Sequence, residues 1–437
     1  MPAPLAERSS GAGAPMNILL LQGPVGPFFT NLARELRGYG HRVFKVNFNG
    51  GDLFFYRGED VFNFRGSLSD WPGYLRQLLQ QQRIDRIYVF GDQRLYHITA
   101  LRIARQLQIE TFVFEEGYIR PDYITLEENG VNANSSLSRN PAFYLAQGRS
   151  TEALEPPQKA ESVFSNAAWY SIAYWICGGL LRPFYPAYRH HRGFNFAYEA
   201  FIWVRSGIRK IRARKHDERV LAQLVADHSG KYFLVPLQVA NDSQIHAHSD
   251  FKDSRQFIAK VIESFARHAP KDTLLVLKHH PLDRGYTEYA SLIRHIGERL
   301  GVAERLRYVH DCHLPTLLDH ARGVVTINST VGLSALLHHA PLKTLGRANY
   351  DLPGLTFQGP LSAFWNKPQA ARQELFEAFR EYLLSHNQIN GNFYSRLENS
   401  RNASGVIWPE WFRRRHLQGL PDDQQPPIMN PATASGA

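Results

Sequence analysis

Residues 83–118 read RIDRIYVFGDQRLYHITALRIARQLQIETFVFEEGY. RIDRIYVFGD has the short apolar run of a buried strand, and HITALRIARQLQ has apolar residues at helical spacing. ETFVFEEGY is a second strand. Strand, helix and strand in that order predict parallel strands with a crossover helix. Ligands of such sheets sit at the carboxyl ends of the strands. Gly91-Asp92 and Glu115-Glu116-Gly117 fall there.

The same alternation extends outward. Asn17–Gln22 (NILLLQ) is apolar and ends in GPVGPFF. Phe29, Leu32, Ala33 and Leu36 then recur at helical spacing, Gly38 and Gly40 stop the helix, and HRVFKVNF is the next strand. A second α/β series starts near Lys231, with KYFLVPLQ, TLLVLKHHP, RLRYVHD and GVVTINST as strands. The fold class expected is α/β, with two Rossmann-like domains. The boundaries are a 1–15 extension, a domain at 16–148, a linker and helical insertion at 149–228, a second domain at 229–416 and a disordered tail at 417–437. In the insertion, Val163–Leu181 is apolar enough to suggest a buried or interfacial helix rather than a span. Between Arg182 and Arg219 stand ten Lys or Arg against three Asp or Glu, interleaved with aromatic residues. That pattern suits a membrane interface or a nucleic acid, or an amphipathic insertion packed on the body.

The chain has 437 residues, 43% hydrophobic and 21% charged, with a formal charge of +10. These values describe an ordinary globular protein with an anionic partner or a basic face. Two distant cysteines, Cys177 and Cys312, make no disulfide framework and favour a reducing compartment. Residues 1–15 lack the apolar core of a secretory signal. There is no Walker loop, GxGxxG, CxxC pair or HExxH. No Asp-X-Asp occurs, which disfavours a metal-held nucleotide, so no metal site is expected.

Four clusters carry chemistry. In FEEGYIRPDYITLE (114–127), successive strand side chains point to opposite faces, so one of Glu115 and Glu116 can serve as an acid/base while the other serves structure. Arg120 follows. In QVANDSQ (238–244), Gln238, Asp242 and Gln244 gather where a strand meets a loop. Asp242 is a turn residue, or else a nucleophile or sugar-hydroxyl ligand. KHHP (278–281) delivers a cation and two imidazoles to a strand end, and such donors suit a phosphate. In INSTVGLSAL, Ser329 and Thr330 precede an apolar helix, as an anion site or a plain cap.

Taken in order, QGPVGPFF, FNGGD, FGDQRLYH, FEEGYIRPDYITLE, PLQVANDSQI, KHHPLDRGY, INSTVGLSALLHH, GLTFQGPLSAFW and INGNFY resemble the KpsS/LipB family of capsule biosynthesis proteins, over roughly residues 17–395. The resemblance implies a GT-B-like fold, its two domains facing a cleft. It implies a retaining β-Kdo transferase that takes Kdo from CMP-Kdo to a (lyso)phosphatidylglycerol acceptor, starting the linker of a group 2-type capsule without a metal or other cofactor. By that resemblance His280-Pro281 and Ser329-Thr330 would hold the CMP phosphate with Lys278 as charge partner, and Gln238 and Gln244 would line the donor site. Glu116 would be the acid/base. Retention requires a second carboxylate, assigned to Asp242. Asp92, Arg94 and Arg120 would serve the acceptor or sugar. The partners implied are a lipid acceptor, the anionic inner face of the inner membrane, where the protein would sit peripherally, and other capsule assembly and export proteins, with no nucleic acid. A sialyltransferase-like enzyme and a non-catalytic export scaffold are the alternatives.

Overall fold

The computed structural model describes residues 14–147, 156–190, 196–240, 245 and 248–417. The expected N-terminal extension and C-terminal tail lie almost wholly outside these residues. The elements run β1 (Asn17–Leu20), α1 (Phe28–Gly38), β2 (Arg42–Asn47), α2 (Gly50–Phe55), β3 (Val61–Asn63), α3 (Trp71–Gln81), β4 (Arg86–Phe90), α4 (Leu95–Gln106), β5 (Glu110–Glu116) and β6 (Tyr123–Glu128). Then come α5 (Pro141–Ala146), α6 (Val163–Leu180), α7 (Phe196–Asp227), β7 (Tyr232–Pro236), α8 (Ser254–His268), β8 (Leu274–Lys278), α9 (Ala290–Arg299) and β9 (Leu306–Val309). The last are α10 (Leu314–Asp319), β10 (Gly323–Thr326), α11 (Val331–Leu337), β11 (Leu342–Thr344), α12 (Leu361–Phe364), α13 (Gln373–His386), β12 (Gln388–Asn390) and α14 (Glu410–Phe412).

The chain divides into two compact units. One comprises Met1–Val131, Leu154–Phe194 and Leu384–Ala437, the other Asn132–Ala153 and Asn195–Leu383. These bounds differ from those drawn on the sequence. The insertion is split, with α6 in the first unit and α7 in the second. The residues after 383 return to the first unit, because β12 pairs antiparallel with β6. A three-residue strand carries too little periodicity to announce that return.

The first unit holds a sheet in the order β12-β6-β5-β4-β1-β2-β3. β5, β4, β1, β2 and β3 are mutually parallel. The second unit is a fully parallel sheet in the order β11-β10-β7-β8-β9. Both are Rossmann-like, as expected. The central strands β1, β7 and β8 are largely apolar, as expected of strands covered on both faces. β7 and β8 are buried at every position. α1 buries Phe29, Leu32, Ala33 and Leu36, the stripe anticipated from its spacing, and Phe28 with them.

α6 lies against α2. Its docking depends on two residues without side chains. A Cβ on Gly50 would stand 2.4 Å from the Cys177 carbonyl oxygen, and one on Gly51 would stand 2.5 Å from the Tyr174 ring. Among the described residues no helix is long and apolar enough to cross a membrane. Both cysteines are free thiols.

Several buried histidines are kept neutral. Burial pushes His41 down to about 4, aided by the Arg86 charge. It pushes His97 down to about 3, aided by Arg94, while the backbone of Gly91 opposes the shift. It pushes His279 down to about 3, aided by His310. These values lie below the unfolded value of about 6.5, so at acid pH the unfolded chain takes up protons that the folded chain refuses. Stability is therefore full above about pH 6.5 and falls as pH drops toward about 4, by roughly 2 kcal/mol per histidine at about pH 5. Glu115, raised to about 7 by burial, works the other way and offsets about one histidine in the first unit. Thermal denaturation should give lower midpoints at about pH 5 than at about pH 7, and equal midpoints would contradict this balance.

Candidate functional site

In the first unit β1 sits between β4 and β2. The order reverses there, at the switch point where parallel sheets bind ligands. The adjacent carboxyl ends carry Gln22, Asn49 and Asp52, Asp92 and Arg94, and Glu115 with Glu116. The Glu116 N–H donates to Glu115 Oε1 at 3.0 Å. The Tyr394 hydroxyl donates to Glu116 Oε1 at 3.2 Å. Burial and the Glu116 charge raise the Tyr394 hydroxyl, so it stays protonated as a donor. Burial also raises the Glu115 carboxyl to about 7. The Glu116 N–H opposes this, while the charges of Glu116 and Asp92 add to it. One carboxylate thus has a fixed donor, and its neighbour titrates near neutrality, where proton transfer is most effective.

The surrounding charges serve the loops. Asp92 is buried, and its Oδ2 accepts the Val131 N–H at 3.2 Å. Arg94 donates to the Gly23 carbonyl at 3.0 Å and lies over the Phe90 ring. Arg120 is exposed and donates to the Gly117 carbonyl at 3.2 Å. A buried polar knot lies beside them. The Gln22 amide donates to Tyr174 at 2.9 Å, to Tyr188 at 3.2 Å and to both Asp52 oxygens at 3.2 Å. Asn49 donates to Tyr174 at 2.6 Å. The Lys45 amine is also buried, and burial lowers it to about 8 against the pull of Asp52.

In the second unit β10, β7 and β8 are neighbours, so their exits form one edge. Gln238 and Asn328 pair reciprocally across it. The Gln238 amide donates to Asn328 Oδ1 at 3.0 Å, and the Asn328 N–H donates to Gln238 Oε1 at 3.3 Å. Ser329 Oγ accepts the Val331 N–H at 3.2 Å, and Thr330 is the residue before α11. Gly332 leaves room for Tyr350, whose hydroxyl donates to the Ser329 carbonyl. His280 is half-buried, and its Nδ1 accepts the Leu282 N–H at 3.2 Å in the turn that Pro281 begins. Lys278, expected as a charge partner for the phosphate, faces the residues that follow β9. It is buried, its amine lies 3.5 Å from the His310 carbonyl, and burial lowers it against the pull of Asp311, Cys312 and Asp217. Asp242 and Gln244 lie outside the described residues. Among the described residues no group of three or more His, Cys, Asp or Glu side chains is placed to hold a metal.

A family model described as "Capsule polysaccharide biosynthesis protein" matches residues 85–394. The chain belongs to that family. The capsule polysaccharide export protein KpsS of Escherichia coli is 44% identical over 380 residues, 86% of this chain and 96% of that protein. The capsule polysaccharide modification protein LipB of Neisseria meningitidis serogroup A is 44% identical over 388 residues, 87% of this chain and 92% of that protein. Among solved structures, the β-Kdo 2,7 transferase KpsC of Thermosulfurimonas dismutans aligns at 15% identity with a TM-score of 0.39, covering 83% of this chain and 89% of that one.

The part matched by the capsule family model takes in the second unit's cluster and, in the first unit, Asp92, Arg94, Glu115, Glu116 and Tyr394, while Gln22, Asn49 and Asp52 precede it. Glu115 and Glu116 come together with Tyr394 in the first unit, and Gln238, His280, Ser329 and Thr330 share one edge in the second. The reading of residues had given no role to Tyr394, Asn328, Lys45 or the Gln22–Asp52 knot. The strings QGPVG, FNGGD and INGNFY held most of them, but only folding brings them to the strand ends. Replacing Gln238 with Leu would remove both of its hydrogen bonds to Asn328. It should lower stability by about 1–3 kcal/mol, checked by denaturant melts, and an unchanged midpoint would show that the pair carries no load.

Proposed function

We propose that this capsule family member is a Kdo transferase. It takes Kdo from CMP-Kdo and places it with retained β stereochemistry on a (lyso)phosphatidylglycerol acceptor, working peripherally on the inner face of the inner membrane alongside other capsule assembly and export proteins. The observation that carries the reading is the Glu115–Glu116 pair at the switch point, one carboxyl raised to about 7 and the other held by Tyr394. Such a pair suits the removal of a proton from an attacking hydroxyl.

In this reading the strand-end edge of the second unit takes CMP. His280, Ser329, Thr330 and nearby backbone N–H groups would hold the phosphate charge as the bond to Kdo breaks. Asp242 would attack the Kdo anomeric carbon as CMP leaves with the bonding electrons. The acceptor oxygen, losing its proton to Glu116 or Glu115, would then displace Asp242. Two inversions give retention. No metal is invoked, since cationic and N–H donors would meet the phosphate.

The test is to incubate the full chain with CMP-Kdo and a fluorescent lyso-phosphatidylglycerol and to weigh the product. A gain of one or more Kdo residues is expected, with EDTA present or absent. Glu115→Gln and Glu116→Gln should each be compared with wild type, and the acid/base should lose about 10²–10⁴-fold in turnover with CMP affinity unchanged. Product from CMP-sialic acid alone, or no product at all, would overturn the reading.

Tyr394→Phe gives a finer test. Its hydroxyl donates to Glu116 Oε1 at 3.2 Å, so its loss removes a fixed donor from that carboxylate. Turnover should fall while CMP binding and the thermal midpoint hold, and unchanged turnover would leave Tyr394 a purely structural role.

A further inference from the structure

The first half of α7 leaves a row of apolar side chains in water. Its inward side buries Ile202, Val220 and Leu224 and is also held by hydrogen bonds. Arg205 donates to the Gly285 carbonyl at 2.6 Å, and Arg209 donates to the carbonyls of Arg284 and Thr287 at 2.7 and 2.8 Å. The buried Asp217 carboxylate accepts the N–H groups of His310 and Asp311. Gly285 has no side chain, and a Cβ there would stand 2.5 Å from the Ile202 carbonyl oxygen. The helix is therefore seated closely, with one side fixed outward.

That outward side carries Phe201, Val204, Ile208 and Ile211, which are 58%, 63%, 45% and 76% exposed. Their spacing of three, four and three residues draws one stripe. Surfaces seldom leave such a stripe in water without a partner. Trp203, itself half-exposed, flanks it, and so do the exposed cations Arg212, Arg214 and Lys215. From Phe201 to Ile211 the stripe is about 15 Å long. Apolar side chains at the centre, with an aromatic residue and cations at the margins, make the pattern of a helix lying in a lipid headgroup region. The flanking cations select the chemistry of the occupant, since an anionic surface attracts each of them.

We infer that the outward face of α7 lies on an anionic phospholipid surface, with Phe201, Val204, Ile208 and Ile211 among the acyl chains and Arg212 and Lys215 on headgroup phosphates. The inference deepens the membrane side of the proposed function and rests on it only for the choice of lipid.

Vesicle co-sedimentation of the full chain tests this. Vesicles of phosphatidylglycerol mixed with phosphatidylcholine should bind the protein, and pure phosphatidylcholine vesicles should bind it far less. Raising salt from about 0.1 M to about 1 M, which shortens screening from about 10 Å to about 3 Å, should weaken the binding. The double variant Ile208→Ser with Ile211→Ser should lose about tenfold or more in affinity. Arg212→Gln with Lys215→Gln should lose severalfold and lose part of the salt dependence. All these positions are exposed, so thermal midpoints should hold. If the double serine variant melts early, Ile211→Lys alone serves in its place. Binding unchanged in both the apolar and the basic variants would overturn the assignment. So would absent binding, or wild-type self-association that the serines abolish, which would assign the stripe to a second copy. Transfer to a short-chain soluble acceptor is measured in parallel. The stripe variants should keep it, and its absence from wild type would sink the transferase reading while leaving the vesicle result to stand alone.

Discussion

The return of the chain after α13 is the constraint on which the first unit depends. β12 closes the sheet by pairing with β6, and its side chains tie the site loop to that edge. Gln388 Oε1 accepts the N–H groups of Tyr118 and Ile119 at 3.0 and 3.3 Å, while its amide donates to Thr125 at 3.0 Å. Those bonds hold the backbone immediately after Glu116. Six residues on, Tyr394 reaches Glu116 itself. Between them Phe393 packs edge-on to Phe28 at 4.9 Å between ring centroids, an arrangement worth about 0.5–1.5 kcal/mol beyond its buried area. Farther along, Ser404 and Trp408 donate to the buried Glu35, and His416 shares a hydrogen bond with Tyr88. The candidate acid/base is thus built by residues almost three hundred positions downstream of it, and removal of the C-terminal segment would expose the sheet edge and strip the carboxylate of its donor together.

This arrangement explains which parts were legible in the sequence. The parallel strands were readable because a strand buried on both faces is apolar without alternation, as in YFLVP and LLVLK. The strand-end carboxylates were readable because parallel sheets place their ligands there. Tyr394 was not, because β12 is three residues long and its partner lies far away in sequence. Glu115 was legible only as one of two choices. What distinguishes it is the depth at which its carboxyl sits and the nearness of Asp92, both properties of packing. The domain bounds failed for a related reason. Composition marks 149–228 as one insertion, yet α6 docks on Gly50 and Gly51 while α7 docks on the 284–287 turn and the end of β9. Each attachment depends on backbone approach at glycine, which composition does not reveal.

Lys278 shows how the same pattern can mislead. A cation beside two histidines at a strand end reads as a phosphate site. Successive side chains on a strand diverge, however, and this one turns toward Asp311 and Asp217. There it helps neutralise the acidic groups that hold α7, with Arg284 bridging Asp311 at 3.3 Å. His280, beyond the strand and at the turn, is left as the polar group of that motif nearest the edge shared with Ser329. Within the motif, the strand residue and the turn residue thus meet different surroundings.

The division has a consequence for how α7 is used. Arg205, Arg209 and Asp217 place their hydrogen bonds on backbone groups of the 284–287 turn and of residues 310–311. Those groups would otherwise need water or a side chain once covered. A helix fastened through main-chain groups leaves its apolar residues free to face elsewhere. It is also held firmly, since the arginine bonds to the carbonyls of Gly285, Arg284 and Thr287 are short, at 2.6, 2.7 and 2.8 Å, and charge-assisted. The turn it grips begins directly after the Pro281–Asp283 turn that His280 caps. Whatever settles on the outward side of α7 therefore bears, through two arginines and one turn, on the strand-end edge proposed to hold the donor phosphate.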